Sequence, residues 1–174
     1  MASLQESAEA YVQKYAAEIS TGKELMEATS EEDQQARVDG FCKKMTSFFL
    51  PKPVLFGMPG PPQQWASHEA GQQMLKTVIG RYIDFGIGFQ GALKSSKVRV
   101  LYDHGGFGAC LVDIIWTTIP HAKSGLEPWD MHGMYGYRKL QTGEEGWELG
   151  YNDDEIANLL KRFPNFFEGM GPPQ

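Results

Sequence analysis

At 174 residues, 41% hydrophobic and 22% charged, the chain has the length and apolar content of one globular domain whose core is large enough to fold alone. Its formal net charge of −6 offers no electrostatic footprint for nucleic acid. The longest apolar run, from Ala109 to Ile119, is interrupted by Asp113 and is too short to span a bilayer.

The first residues, Met1-Ala2-Ser3-Leu4-Gln5-Glu6, lack the basic and apolar regions of a signal peptide. Ser3-x-x-Glu6 is a capping box, and it opens a helix carrying Leu4, Ala8, Tyr11, Val12, Tyr15 and Ile19 on one face. The segment 22–29 breaks that helix. Ser30 starts a second helix with Glu31, Glu32 and Asp33 in its first turn, where carboxylates suit the positive end of the helix dipole. Its apolar positions are Val38, Phe41, Cys42, Met45, Phe48 and Phe49, and Pro51 is expected to end it. A short edge strand over 53–58 and the loop Pro59-Gly60-Pro61-Pro62 follow. Ser67 opens a third helix with Met74, Leu75, Val78, Ile79, Tyr82 and Ile83 at helical spacing.

From there the periodicity changes to two. Strands are expected over 98–104, 107–119 and 129–140, then from Trp147, with turns at Gly105-Gly106 and at Thr142-Gly143-Glu144-Glu145-Gly146. A last helix begins near Asn152, whose side chain caps with Glu155 reciprocating, and it buries Ile156, Leu159, Leu160 and Phe163. The expected domain runs over 1–168, with a disordered tail at 169–174. Helices first and a strand meander last predict an α+β fold, one curved sheet wrapped around a pocket. In the first long strand Val98, Val100, Tyr102 and His104 share a face. The next is apolar on both faces, so both should be covered. Helices cover one, and a second copy of the chain is expected on the other, giving a homodimer. Cys42 and Cys110 lie within apolar patterns and form no C-x-x-C, which reads as buried free thiols in a reducing, cytoplasmic compartment.

The order helix, helix, helix, strand meander and short last helix resembles the nuclear transport factor 2-like superfamily, in its SnoaL-like and ketosteroid-isomerase-like branch. So do the strings Met134-Tyr135-Gly136-Tyr137-Arg138, Gly146-Trp147-Glu148, Asp153-Asp154-Glu155 and Leu160-Lys161-Arg162-Phe163-Pro164. The resemblance implies a cone-shaped, mixed or antiparallel sheet packed on N-terminal helices around a deep pocket, in a dimer. It also implies cyclase, isomerase, dehydratase, hydrolase or purely binding roles.

Asp113 stands between Val112 and Ile114 in a strand interior, where a carboxylate is expensive to bury without partners. Facing the pocket it would serve as a general base or a neutral donor; facing away it would be paired at an interface, with Arg99 or Arg138. His104 and His132 are the histidines placed to move a proton, with Tyr15 as a hydroxyl donor. Tyr11, Phe49, Tyr82, Tyr102, Trp116 and Met134 are the candidate lining of a site for a small apolar molecule, and equally fit a plain core. Gly86-Ile87-Gly88-Phe89-Gln90-Gly91 matches G-x-G-x-x-G, but it follows a helix and precedes a strand, the reverse of a dinucleotide fingerprint. No metal spacing, phosphate loop or G-x-S-x-G is present, so no cofactor is expected. Two functions remain: a cofactor-free isomerase, cyclase or dehydratase acting on an apolar carbonyl compound, or a non-catalytic binder or dimeric scaffold. Convergence of Asp113, His104 and His132 on one cavity would favour the enzyme.

Overall fold

The computed structural model describes residues 2–56, 61–152 and 154–169. Among them the elements run α1 (Leu4–Ser20), α2 (Glu31–Ser47), β1 (Phe49–Phe56), β2 (Gln63–Gln64), α3 (His68–Asp84), β3 (Gly91–Asp103), β4 (Gly108–Thr118), β5 (Trp129–Lys139), β6 (Glu145–Asn152) and α4 (Glu155–Arg162). Short 3-10 turns occupy Thr21–Glu27 and Ala122–Ser124. The expected loop and strand end at 57–60, most of the tail, and Asp153 lie outside the described residues.

Serine caps set three helix starts. Ser3 Oγ accepts from the Glu6 amide at 3.2 Å while the Glu6 carboxylate accepts from the Ser3 amide at 2.7 Å. Ser30 and Ser67 accept in the same way from the Asp33 and Ala70 amides. Each cap satisfies a helix donor that has no partner within the helix, worth about 1 kcal/mol. The fourth start differs from expectation: Asp154 is the capping residue and makes no side-chain cap bond, and Leu160 is exposed.

The strands form one open, mixed sheet in the order β2-β1-β6-β5-β4-β3. β3 to β6 are an antiparallel meander, as their period-two pattern requires. β1 departs from expectation. α2 stops at Ser47, Phe48 is its C-cap, and Phe49 already belongs to a strand that runs parallel to β6 inside the sheet. Pro51, expected to stop the helix, and Pro53, expected to open the edge strand, fall in a slip of register: Phe49 pairs with Trp147 and Val54 with Leu149, so both prolines sit where ladder donors are not needed. Lys52 between them takes φ 60°, the left-handed conformation that lets the strand absorb its extra residues.

The inner face of the sheet packs against the buried stripe of α1 (Leu4, Ala8, Tyr11, Val12, Tyr15, Ala16, Ile19) and against α2 and α3. Even-numbered β4 residues Cys110, Val112, Ile114 and Trp116 point inward and are essentially buried. A smaller cluster of Tyr82, Ile87, Trp129, Leu159 and Phe166 closes the other end. Two close approaches require glycine: a Cβ on Gly71 would meet the Trp65 ring at 2.4 Å, and one on Gly22 would meet the Phe89 carbonyl oxygen at 1.6 Å. Cys42 and Cys110 are buried and free, and burial pushes both thiols up to about 11. No helix among the described residues is long and apolar enough to cross a membrane.

Candidate functional site

Between the two clusters lies a cavity of about 150 Å³, walled by all four helices and by the inner face of the sheet. Its walls are mostly rings and aliphatic chains, among them Phe41, Phe49, Trp65, Phe89, Trp116 and Met131. One corner is polar. Glu155, the first residue of α4, lines the cavity together with Asn152, Tyr15, Tyr82 and Tyr135.

Each group reaches that corner from a different element. Tyr15 is on the buried stripe of α1, Tyr82 in the last turn of α3, Tyr135 on the inner face of β5 and Asn152 at the end of β6. Asp154 accepts a 2.8 Å hydrogen bond from the His132 amide, which docks the start of α4 onto β5. The Tyr82 hydroxyl donates to Glu155 Oε1 at 2.6 Å, and Asn152 Nδ2 donates to Glu155 Oε2 at 2.6 Å. Both carboxylate oxygens therefore have a partner.

Loss of solvent raises the Glu155 carboxyl above the ordinary carboxylate value; the Tyr82 and Asn152 hydrogen bonds oppose that rise, and the Asp154 charge adds to it. Burial, followed by the Glu155 charge, holds the Tyr82 hydroxyl well above its usual range. Tyr15 is raised in the same sense, first by burial and then by its contact with Tyr135. Tyr135, buried and near Glu155, is pushed up to about 12. The corner thus holds one carboxyl with raised proton affinity and three phenols that keep their protons, two kinds of group whose proton affinities the surroundings set apart.

Of the residues singled out from sequence, Tyr15, Phe49, Tyr82 and Trp116 line this cavity. Tyr11 lies in the adjacent core, its hydroxyl donating to the Phe48 carbonyl at 2.9 Å and its ring against Trp147. Asp113, His132 and Met134 are on the opposite face of the sheet. Asp113 alternates with the inward Val112 and Ile114, and its Oδ1 lies 3.5 Å from His132 Nε2. Arg138, an expected partner of Asp113, instead donates to Glu148 at 3.0 Å. Tyr102 is 52% exposed, because the β3–β4 register slips between Val100 and Tyr102 and reverses the face the tyrosine was expected to share. His104 sits in the exposed β3–β4 turn, its amide bonded to the Phe107 carbonyl at 2.7 Å. Convergence of Asp113, His104 and His132 on one cavity, which would have favoured the enzyme, does not occur; these three residues by themselves fit the binder or scaffold, and any acid–base chemistry rests on other groups.

Glu155, Asn152 and Tyr135 are the site residues that sequence reasoning missed. A signal existed: Glu155 precedes the buried Leu159 by four residues and shares its helix face, so a carboxylate had to enter the apolar side. No group of three or more His, Cys, Asp or Glu among the described residues is arranged to hold a metal ion.

No protein-family model and no curated protein sequence matches the chain. Solved structures do. A protein from Catenulispora acidiphila aligns at 15% identity over 88% of this chain and 97% of its own, with a TM-score of 0.58. A Catenulispora acidiphila structure in complex with S-DNPA aligns at 15% identity over 88% and 99%, with a TM-score of 0.55. A provisionally named scytalone dehydratase from Novosphingobium aromaticivorans aligns at 9% identity over 84% and 80%, with a TM-score of 0.53. At such identities the likeness establishes a shared fold.

Proposed function

We propose that this chain, which has the nuclear transport factor 2-like α+β cone fold, is an enzyme that moves protons on a small apolar carbonyl compound and needs no cofactor to do so. The observation that carries the reading is Glu155, held by Tyr82 and Asn152 at the polar corner of an otherwise apolar cavity. The dehydratase name borne by one structural neighbour and the small molecule bound in another support it.

In the mechanism, ionised Glu155 takes a proton from the carbon next to the carbonyl. The C–H bond breaks, its electron pair becomes the enolate C=C bond, and the carbonyl π pair moves onto oxygen. A phenol of Tyr15 or Tyr135 hydrogen-bonds that oxyanion, its raised proton affinity keeping the O–H intact. If the substrate carries a β,γ double bond, the oxyanion pair re-forms the C=O, the enolate pair moves to the α,β position and the former β,γ pair takes the proton from Glu155 at the γ-carbon, giving isomerisation. If it carries a β-hydroxyl, the enolate pair forms the α,β double bond as the C–O bond breaks and the departing oxygen takes that proton as water, giving dehydration. Neither outcome needs an oxidant or reductant. Substrate binding is assigned to Phe49, Tyr82 and Trp116 with the remaining rings of the cavity.

The test is exchange of α-deuterons on a cyclic ketone. Glu155→Gln should slow it by about 10²–10⁴-fold, the range of a general base, whereas Asp113→Asn, altered on the far face, should leave it within about twofold. Equal rates for Glu155→Gln and the unmodified protein would remove Glu155 from the mechanism. The outer face carries half-buried Leu111, Ile115 and Met134 around Asp113 and His132, and we assign it to a homodimer contact. Sedimentation equilibrium showing only monomer at micromolar concentration would exclude that contact.

A further inference from the structure

We infer that the cavity selects uncharged single-ring ketones and rejects both ionised ligands and fused polycyclic ones. This deepens the acid–base reading and rests on it for the location of the site. The first argument is size. An apolar cavity of about 150 Å³ is filled by one benzene-sized ring, and this cavity has that volume. The cavity is partly open, so a four-ring skeleton with its carbonyl at Glu155 would either leave most of its rings outside, unburied, or displace Phe41, Trp116 or Phe166, which are buried in the packed clusters on either side. Interiors of that density do not yield such space without losing stability.

The second argument is charge. No lysine, arginine or histidine is among the described residues that line the cavity, and Glu155 is the one carboxylate there. A carboxylate or phosphate ligand would lose its water beside a like charge, with nothing to replace it. A ligand ammonium meets a different obstacle: it brings three N–H donors to walls that are mostly apolar, and the one carboxylate there already holds hydrogen bonds from Tyr82 and Asn152, so burial would leave the cation short of the partners it had in water. A neutral carbonyl asks only for a hydrogen-bond donor, and the tyrosines of the corner supply one.

The third argument is that the wall opposite the sheet is fastened. Arg81 on α3 donates from Nε to the Phe166 carbonyl at 3.0 Å and from Nη2 to the Glu168 carbonyl at 2.5 Å. The Arg162 guanidinium lies 4.4 Å from the Trp129 ring centroid. These contacts hold α4 and the residues after it, including the cavity-lining Leu159, Phe166 and Phe167, against the rest of the domain.

Ligand-observed NMR with cyclohex-2-enone, cyclohexanecarboxylate, cyclohexylammonium, 1-tetralone and androst-5-ene-3,17-dione separates the possibilities, combined with α-deuteron exchange for the ketones. The enone should bind, the two charged rings should bind at least about a hundredfold more weakly, and the steroid should not bind. Met74→Ala, which shortens a half-buried wall residue, should admit 1-tetralone. Steroid or either ion binding as tightly as the enone would overturn the inference, as would failure of the enone to bind. An enone that binds without exchange dependent on Glu155 leaves the selectivity standing and refutes the acid–base reading. A steroid that exchanges in a Glu155-dependent way does the reverse.

Discussion

Replacing Tyr82 by phenylalanine removes one oxygen from the polar corner and leaves the ring packing intact. Tyr82 is 3% exposed, so water does not replace the lost donor. A hydrogen bond to a charged group contributes about 1.5–3 kcal/mol, and one to its neutral form about 0.5–1.5 kcal/mol. The ionised form of Glu155 therefore loses about 1 kcal/mol or slightly more relative to the protonated form. That is a five- to tenfold shift of the protonation equilibrium toward the acid, since about 1.4 kcal/mol is tenfold. The midpoint should be followed by ¹³C NMR of the glutamate side-chain carboxyls across pH, with exposed Glu6 as an internal control. Exchange catalysed by the variant should need a correspondingly higher pH. A midpoint for Glu155 that stays in place or moves downward would show that the 2.6 Å contact does not hold the carboxylate, and the assignment of Tyr82 as its positioning residue would fall.

Stability should also depend on pH through Glu155. Its folded-state carboxyl lies above the ordinary value of 4.5, so in that window the folded chain holds a proton that the unfolded chain releases. Its contribution to stability is full below the ordinary value and is lost as pH rises through the raised one. The melting temperature should therefore fall less steeply with rising pH for Glu155→Gln than for the unmodified protein; parallel curves would contradict the shift. On the acid side Asp33 and Asp130, held below the usual range by Arg37 and Lys94, act in the opposite sense, losing their contribution as pH falls. Gly71→Ala places a methyl group within the Trp65 ring, which is wedged against Phe49 at 4.9 Å. Overpacking of that kind costs about 1–3 kcal/mol; because the displaced ring has the cavity beside it, cyclohex-2-enone affinity should fall as well. A denaturant melt unchanged from the unmodified protein would show that α3 shifts freely.

Local signals were legible because local physics decides them. Ser3, Ser30 and Ser67 cap helices through atoms three residues away, and the β4 and β5 pairings follow their alternation. The glycines that resemble a nucleotide fingerprint are a helix exit: Gly86 and Gly88 take φ 68° and 71° between α3 and β3. The site was harder to read. A strand apolar on both faces does not reveal which face is inside, and so Asp113 was weighed as a pocket base when it faces outward. Tyr102 was misplaced by one extra residue in β3, a bulge with no composition of its own. Glu155 looked like half of a cap because Asn152 stands three residues before it; the two side chains do meet, Asn152 Nδ2 donating to Glu155 Oε2, but as a side-chain pair and not as a cap. Its second bond comes from Tyr82, 73 residues earlier, and separations of that kind carry no local mark.

The parallel pairing of β1 with β6 has a consequence in time. Phe49 meets Trp147 across roughly a hundred residues of intervening chain, a non-local pairing whose closure entropy is met before its contacts reward it. As the chain leaves the ribosome, its three large helices and the β3–β4 hairpin can assemble while the sheet still has a gap where β6 belongs. Only after that gap is filled can Glu155 reach its place, and it follows β6 almost immediately. The polar corner of the cavity is therefore absent until β6 and the first turn of α4 have been made, however early the helices fold.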